Sequence, residues 1–493
     1  MDPDTSRFLF HYPNIPINQT AASKQISFES DETTTTTPDI VQTKVVNNTI
    51  DSLLDCLERG ENYGKQRISI RKISRVLRDL SERSFNPQLV SIGPLHRQNK
   101  KLQELESLKE SYLNDLLFRD TRSFPMQKLV LKECLRKVNG SIDRIRESYA
   151  GMANNYNDAE LAMMMIMDGC FIIEFCIKHG DEKQNLPNKM QNKHIAMDLI
   201  LLENQIPFFV LQDLFDSSMG IMPDFSLTDV LDRYLAPYIS LFRTLSPKNF
   251  SITDDISTNS SDHDHLLGYL HKRYQCVVAK SSNLTDAELD RSAFEERIEN
   301  TDIAFHSVVE LDRSGVNFKH HQESNWLMTI KFQPSLFPLF PWYCGKPTLL
   351  MPTLVIDDNT ELILRNFIAY EQSFPKDRFN YFTSYACAMQ MLIDTQEDVT
   401  KLVESRVLVN NLGSNQEAAD MINEICKHIS LTDFYYTQEF KQMDSYYNGY
   451  WPKNIARLRR TYFSSPWNAI ALFAAFILFS LTVVQTVFTI RAA

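Results

Sequence analysis

The sequence has few glycines and none of the common catalytic motifs. Only 13 of its 493 residues are glycine, whereas a loop that cradles phosphate requires several of them close together. It contains no GxSxG, P-loop, GxGxxG or HExxH pattern, which are the signatures of hydrolases, nucleotide-binding proteins and zinc peptidases. We therefore predict no catalytic residue and no cofactor, and we expect the chain not to be an enzyme.

Cysteine and basic charge are also sparse. The eight cysteines are scattered and none forms a CxxC pair, so a zinc ribbon or a dense disulfide framework is not expected and reduced cytosolic thiols are the simplest interpretation. The formal net charge of -11 disfavours nucleic acid as a partner, because non-specific binding to nucleic acid needs a basic surface.

One segment, residues 466–490, has no charged residue and no histidine. From Trp467 to Ile490 there are 24 residues, and a helix of that length spans roughly 36 Å. The hydrocarbon core of a bilayer is about 30 Å thick. We therefore predict a single transmembrane helix over 466–490. The alternative is a buried core helix of a soluble protein, but such helices rarely run this long without a charge.

Flanking charge predicts the orientation of this helix. Four basic residues precede it, and Arg491 is the one that follows it; the four are Lys453, Arg457, Arg459 and Arg460. Since positive residues favour the cytoplasmic side, we expect a single-pass, tail-anchored protein with a cytosolic body, in the plasma membrane or an endomembrane. The first residues lack the charge pattern and the length of apolar run of a signal peptide.

The helix carries two sets of notable side chains. The predicted anchor residues are aromatic: Trp467, Phe473, Phe476, Phe479 and Phe488. A polar stripe at helical spacing consists of Thr482, Gln485, Thr486 and Thr489. Such a stripe can form hydrogen bonds between helices in lipid, so we predict possible self-association through the anchor. Alternatively, the threonines bond to their own helix backbone and Gln485 reaches the interface.

The remaining chain is long enough for a large core. We predict a disordered N-terminus at 1–38, a helix and linker at 39–66, and a body at 67–462 that a polar linker at 247–262 divides into two halves. The run at 158–178 is apolar nearly all round and predicts a central buried helix. A helical region at 195–215 should break at Pro207.

Alternating and apolar runs at 326–332 and 349–357 predict a small β-ribbon. The predicted fold class is therefore mainly α: a large helical globular body with a small β-ribbon and one C-terminal transmembrane helix.

A cluster of Asp262, His263, Asp264 and His265, with His271 nearby, has the side chains that bind divalent metal ions. Because it follows the polar linker and precedes a predicted helix, we interpret it as a helix cap and predict no metal site. The alternative is a hydrolase-type enzyme with an unrecognised carboxylate and histidine metal site.

Nine ordered blocks between about residue 67 and residue 490 resemble the plant family called domain of unknown function 247. The blocks are ISIRKISRVLRDL (68–80), LVSIGPLHR (89–97), LKESYLNDLL (108–117), MMMIMDGCFIIEF (163–175), DLILLENQIPFFVLQDLF (198–215), MPTLVIDDNTELILRNFIAYEQ (351–372), SYACAMQMLIDTQEDVTKLV (384–403), NNLGSNQEAADMINEIC (410–426) and YYNGYWPKNIARLRRTYFSSPWNAIALFAAF (446–476).

The resemblance implies a plant-specific, mainly helical protein that ends in one membrane helix, with no catalytic residue or cofactor to carry over. Some grass members are linked to self-incompatibility as pollen-side determinants. By this resemblance we expect a membrane-anchored, non-enzymatic plant protein that binds other proteins in recognition or signalling; the same resemblance implies a role in self-incompatibility.

Polar residues embedded in these apolar blocks must find hydrogen-bond partners if they are buried. We predict that they form a buried polar network, bonding to one another or to backbone exposed near Pro207 and Pro375, in preference to a ligand site. The residues are Asp168, Glu174, Glu203, Asn204, Gln205, Glu371 and Gln372.

Overall fold

The structure is a computed structural model that describes residues 49–50, 52–54, 57, 68–119, 124–179, 188–220, 226–239, 241–242, 263–273, 304–321, 328–334, 346–373, 380–431, 434–449, 452, 454 and 466–492. The predicted disorder at 1–38 and the linker at 247–262 lie outside these residues. The chain divides into two units, Met1–Gln66 and Arg67–Ala493. In the first unit, the described residues of 49–57 are helical, and Ile50, Leu53, Leu54 and Leu57 are exposed.

The second unit is mainly helical. Its helices are α1 (Arg75–Leu80), α2 (Glu106–Phe118), α3 (Phe124–Gly140), α4 (Ile142–Glu147), α5 (Asp158–His179), α6 (Lys189–Leu199), α7 (Phe208–Met219), α8 (Leu227–Tyr238), α9 (Leu266–Arg273), α10 (Val308–Arg313), α11 (Thr360–Ser373), α12 (Tyr381–Leu392), α13 (Gln396–Glu404), α14 (Asn415–Ile425), α15 (Thr437–Tyr447) and α16 (Pro466–Ala492).

Local sequence sets several helix starts. Ser226 before α8, Ser307 before α10 and Thr395 before α13 each form a capping box with an acidic residue three positions later. In that motif the two side chains satisfy backbone N–H groups that have no partner inside the helix.

Helix α5 is the centre of the core. Its residues are buried without interruption from Met164 to Cys176, and it packs against α2, α3, α7 and α8. The Cβ that an alanine would add at Gly169 would lie 2.3 Å from Leu214 Cδ1 of α7. The absence of a side chain at Gly169 therefore lets α7 approach closely.

The chain leaves helical geometry between α6 and α7. Helix α6 ends at Leu199, residues 200–207 form turns, and α7 begins directly after Pro207. Proline cannot donate the backbone hydrogen bond that a helix interior requires, so the predicted break is present. The interruption is wider than a kink, because eight residues separate the helices.

Within the described residues, five short strands form two sheets. Strands β1 (Asn317–His320), β3 (Thr348–Met351) and β2 (Lys331–Gln333) lie in that order, with β1–β3 parallel and β2–β3 antiparallel. Strands β4 (Leu354–Ile356) and β5 (Leu408–Asn410) pair in parallel. The apolar run at 349–357 thus supplies one strand to each sheet. The sequence predicted one small β-ribbon, and the structure has these two sheets in its place.

Helix α16 is long and apolar enough to cross a membrane. Its span Phe473–Arg491 has a mean hydropathy of 2.1, and none of its described side chains is buried. Together, the helical body, the small sheets and this helix confirm the predicted fold class.

Candidate functional site

A stretch at 88–93, which belongs to no helix or strand, donates backbone N–H groups to side chains from distant elements. Asp198, at the end of α6, accepts from the N–H groups of Gln88, Leu89 and Val90 at 2.8, 2.6 and 2.9 Å. Burial raises the pKa of Asp198 to about 6, although these three hydrogen bonds favour its charged form. One carboxylate therefore accepts hydrogen bonds from three consecutive backbone N–H groups of this stretch.

Asn204 continues the same arrangement. Its Oδ1 accepts from Ile92 N–H at 2.7 Å, and its Nδ2 donates to the carbonyls of Val90 and Asp198 at 3.0 and 2.9 Å. The oxygen and the nitrogen of the buried amide thus both have hydrogen-bond partners. These hydrogen bonds connect the stretch at 88–93 to the turn between α6 and α7.

A fully buried ion pair closes the far end of the stretch. Asp168 of α5 accepts from Gly93 N–H at 2.8 Å and lies 2.6 Å from Lys109 Nζ. The same ammonium also contacts the carbonyl of Ser91 at 2.5 Å and Glu106 at 2.9 Å. Both Lys109 and Asp168 are 0% exposed. Buried charges need such complete pairing, because their desolvation is costly.

Glu203 holds the chain just before α1. It accepts from Ile73 N–H at 2.6 Å and from Arg78 Nη2 at 2.6 Å, and His96 Nε2 lies 3.1 Å away. Burial alone would raise the pKa of Glu203, but these partners outweigh it and lower the pKa below its usual range.

Gln205 and Asn366 connect the turn at 200–207 to further elements. Gln205 Nε2 donates to the carbonyls of Leu199 and Leu201, and its Oε1 accepts from Leu267 N–H of α9 at 3.1 Å. Asn366 of α11 accepts from Leu202 N–H at 2.9 Å and donates to the carbonyl of Ser84 at 2.7 Å. We call this set the polar hub: Lys109, Asp168, Asp198, Glu203, Asn204, Gln205 and Asn366.

Glu174 and Glu371 lie apart from the polar hub. Glu174 contacts Arg119 Nη2 at 2.6 Å, and its burial raises its pKa. Glu371 accepts from the N–H groups of Phe382 and Thr383, both at 2.8 Å, at the start of α12, and contacts His271 Nε2 at 2.8 Å.

The prediction of a buried network is wrong for Gln372. It is half-buried and donates to the carbonyl of Ser430 at 3.1 Å, because the helical turn that buries Glu371 directs the next residue outward. For the other predicted residues, partners are mostly backbone amides and basic side chains rather than one another.

The described members of the Asp-His cluster each have neighbours. Tyr370 O–H donates to Asp264 at 2.9 Å, His265 Nδ1 accepts from Gly268 N–H at 3.1 Å, and His271 contacts Glu371. Across the described ranges, no three side chains of His, Cys, Asp or Glu are grouped so as to hold a metal ion. Asp262 lies outside the described residues.

A pocket of about 60 Å³ lies beside the polar hub. Ser84, Gln88, His194, Asp198 and Asn359 are among the residues that line it. Its volume is well below the roughly 150 Å³ of an apolar cavity that holds benzene.

The predicted anchor residues of α16 face outward where their side chains are described. Phe473, Phe476, Phe479 and Phe488 are 68–69% exposed; Trp467 lies in the helix, but its side chain is outside the described set. The hydroxyls of Thr482, Thr486 and Thr489 donate to carbonyls of their own helix at 2.8–2.9 Å. This leaves Gln485 as the member of the stripe whose amide extends from the helix.

Sequence reasoning missed three residues of the polar hub: Lys109, Asp198 and Asn366. Asp198 and Asn366 are polar residues within apolar runs, the same signal that identified Asp168. Lys109 gave no such signal, because it lies in the polar sequence LKESYLND.

These features define a class of protein: a helical body held by buried hydrogen bonds, with one apolar helix long enough to cross a membrane. The family model described as "Plant protein of unknown function", DUF247, matches residues 70–481. The chain belongs to this family, as its resemblance predicted.

Two curated relatives come from Arabidopsis thaliana. UPF0481 protein At3g47200 is 27% identical over 86% of this chain and 87% of its own length. Putative UPF0481 protein At3g02645 is 25% identical over 85% of this chain and 89% of its own length. No solved structure matches the chain.

Proposed function

We propose that this chain is a membrane-tethered, non-enzymatic protein that binds other proteins, with α16 as its anchor. The observation that carries the proposal is the exposed apolar surface of α16, whose described phenylalanines contact no core. Leaving so much apolar surface in water is unfavourable, at roughly 25 cal/mol per Å². A bilayer removes that cost.

The body is proposed to lie in the cytosol, at the plasma membrane or an endomembrane. Lys453, Arg457, Arg459 and Arg460 precede the helix and favour the cytoplasmic side. Binding rather than catalysis is supported by the polar hub, whose charged groups are used in ion pairs and in holding backbone amides. The hydrolase alternative has less support, because Asp264, His265 and His271 are each engaged by a neighbour.

Protease protection on sealed plant microsomes tests the anchor and its orientation. We expect a tag at residue 1 to be digested without detergent, and a tag at residue 493 to be digested only after detergent is added. Extraction at high pH should leave the protein in the membrane pellet.

The matched control is a variant with Phe473, Phe476 and Phe479 each changed to Asp. Three acidic residues are costly in the bilayer core, so this variant should leave the pellet at high pH. A protected and glycosylated body would contradict the cytosolic orientation, and a wild-type protein in the soluble fraction would contradict the anchor.

We further propose that α16 associates with a second membrane helix, such as its own copy. At 100° per residue, Thr482, Gln485, Thr486 and Thr489 share one face with Ala471 and Ala475. Because the threonine hydroxyls bond within their helix, Gln485 is the group that would bond between helices.

Gln485→Leu should therefore weaken self-association of α16 in a membrane reporter assay by roughly 3–20-fold, the range for one inter-helix hydrogen bond. Ser480→Leu is the control, since Ser480 lies on the opposite face and bonds to Phe476. Equal association of both variants and the wild type would end this proposal.

A narrower proposal is that the recognition serves self-incompatibility, and it is supported by family resemblance alone. Expression confined to pollen together with high allelic variation would support it. Uniform expression in vegetative tissue with one invariant allele would count against it.

A further inference from the structure

Two cysteines from different helices place their thiols in contact. Cys387 of α12 and Cys426, the residue that ends α14, have their sulfurs 3.4 Å apart. They are 39 residues apart in sequence. Since the S–S distance in a disulfide is about 2.0 Å, the sulfurs need to approach by little more than 1 Å.

The surrounding contacts hold the two helices in this position. Gln390 of α12 donates to the carbonyl of Asn423 at 3.3 Å, and Arg365 of α11 donates to the carbonyl of Glu424 at 3.3 Å. These bonds fix the last turn of α14 on both sides of the thiol pair. The contact therefore does not depend on a loose loop.

The two thiols differ in exposure. Cys387 is 6% exposed, whereas Cys426 is half-buried and reaches the surface. A small oxidant can thus approach the pair from the side of Cys426, while larger molecules are kept from Cys387.

The hydrogen bond between the two thiols favours ionisation of Cys387 over Cys426. The hydrogen bond with Cys426 lowers the pKa of Cys387, against burial and the nearby charge of Glu371, which raise it. The same bond and burial raise the pKa of Cys426, while Arg365 opposes this rise. In contrast, burial raises the pKa of the thiols of Cys134, Cys170 and Cys176, for Cys134 to about 11.

We propose that Cys387 and Cys426 form a reversible disulfide when the protein meets a peroxide, and so make a site of oxidative modification. The Cys387 thiolate attacks a peroxide oxygen, the O–O bond breaks, and hydroxide leaves with the sulfenic acid formed at Cys387. The sulfur of Cys426 then attacks Cys387, the S–O bond breaks, and water leaves with the proton of the Cys426 thiol. Peroxide is reduced by two electrons, which the two thiols supply.

The bond would join the end of α14 covalently to α12. Helix α14 also packs against α11 and α13, so oxidation would restrict opening between these helices. In reducing surroundings the pair begins as thiols, and an oxidant changes its state without any change in sequence.

Peptide mapping of the full-length protein in plant microsomes tests the proposal. The protein is reduced, treated with hydrogen peroxide, blocked with N-ethylmaleimide and digested with trypsin. Cys387 is the one cysteine of the tryptic peptide 379–401, and Cys426 is the one cysteine of 407–427. We expect these peptides to be recovered as one disulfide-linked pair that dithiothreitol separates. Both thiols should be lost at least about tenfold faster than Cys134, because the Cys387 thiolate is the reactive form and Cys426 is then consumed in the disulfide.

Two variants keep the outcome clear. In Cys426→Ser, Cys387 has no thiol to displace water, so a sulfenic acid at Cys387 should accumulate and react with dimedone when the protein is unfolded in the presence of that reagent. Cys134→Ser, which removes a buried thiol elsewhere, should still form the linked pair. The proposal is overturned if Cys387 is oxidised to sulfinic acid without linkage, or if the pair is already fully linked in protein blocked before any peroxide is added.

Discussion

Asp168→Asn is expected to lower the free energy of unfolding by about 3–5 kcal/mol, the loss measured when one partner of a buried ion pair is removed. The substitution keeps the shape of the side chain but removes the buried carboxylate from the Lys109 ammonium, which is 0% exposed and keeps only the partly exposed Glu106, at 2.9 Å, as an anionic partner. The new amide group also places N–H donors against Lys109 or against Gly93 N–H, both of which are themselves donors.

Chemical denaturation of the full chain in detergent, followed by far-UV circular dichroism, measures this loss. Asp158→Asn is the matched control, because Asp158 lies on the same helix α5, is 71% exposed and pairs with Arg146. An exposed pair contributes less than about 1 kcal/mol. Equal losses in the two variants would show that burial of the pair does not determine its contribution.

A double variant separates pairing from packing. Lys109→Met combined with Asp168→Leu removes both charges while filling a similar volume. Replacing a whole buried ion pair in this way is often neutral or stabilising, so the double variant should be more stable than Asp168→Asn. A double variant as unstable as the single one would show that the hydrogen bonds to Ser91 and Gly93 dominate.

Gly93→Ala is expected to lower the free energy of unfolding by about 2–5 kcal/mol, from left-handed strain and steric overlap together. Gly93 has a φ of +71°, and an added Cβ would lie 2.5 Å from the backbone oxygen of Gln205. A backbone atom cannot rotate away as the end of a side chain can. The stretch at 88–93 and the turn at 200–207 would therefore have to separate.

Gly220→Ala and Gly140→Ala are the comparisons for this measurement. Gly220 has nearly the same φ, +70°, but no described atom would lie within 4 Å of its Cβ. Its ψ of -179° places it in a backbone region that is nearly restricted to glycine, so Gly220→Ala should show backbone strain alone, at about 1–3 kcal/mol. Gly140 ends α3 with open space around it, so its change should have little effect. A similar loss at Gly93 and Gly220 would mean that the overlap with Gln205 relaxes freely.

The sequence predicted the fold best where a local pattern was long. Helix α5 follows from an apolar run whose residues are buried on all sides, and the break before α7 follows from Pro207. Strands β1 and β5 were not predicted. Strand β5 pairs with β4, which lies more than 50 residues earlier in the chain, and pairing over that separation leaves no periodic signal.

The candidate site, like the fold, could be predicted from the sequence only in part. That Asp168 and Glu203 require partners follows from their place in apolar runs. The sequence does not show that these partners are Lys109 and Arg78. They lie 59 and 125 residues away and become neighbours only through the packing of α5 and the turn at 200–207. Sequence patterns identify which polar groups must be satisfied; the tertiary structure determines by which residue.

The polar hub also sets an order of events during synthesis. The amides of Val90, Ile92 and Gly93 find their acceptors in residues that lie 75 to 112 positions later in the chain. At about 5–20 residues per second, the ribosome delivers those acceptors roughly 5–20 s after the amides themselves. Through that interval the N–H groups of Val90, Ile92 and Gly93, in the apolar stretch LVSIGPL, have no native acceptor. The nascent chain therefore depends on solvent or on a chaperone at the ribosome to keep this stretch from pairing elsewhere.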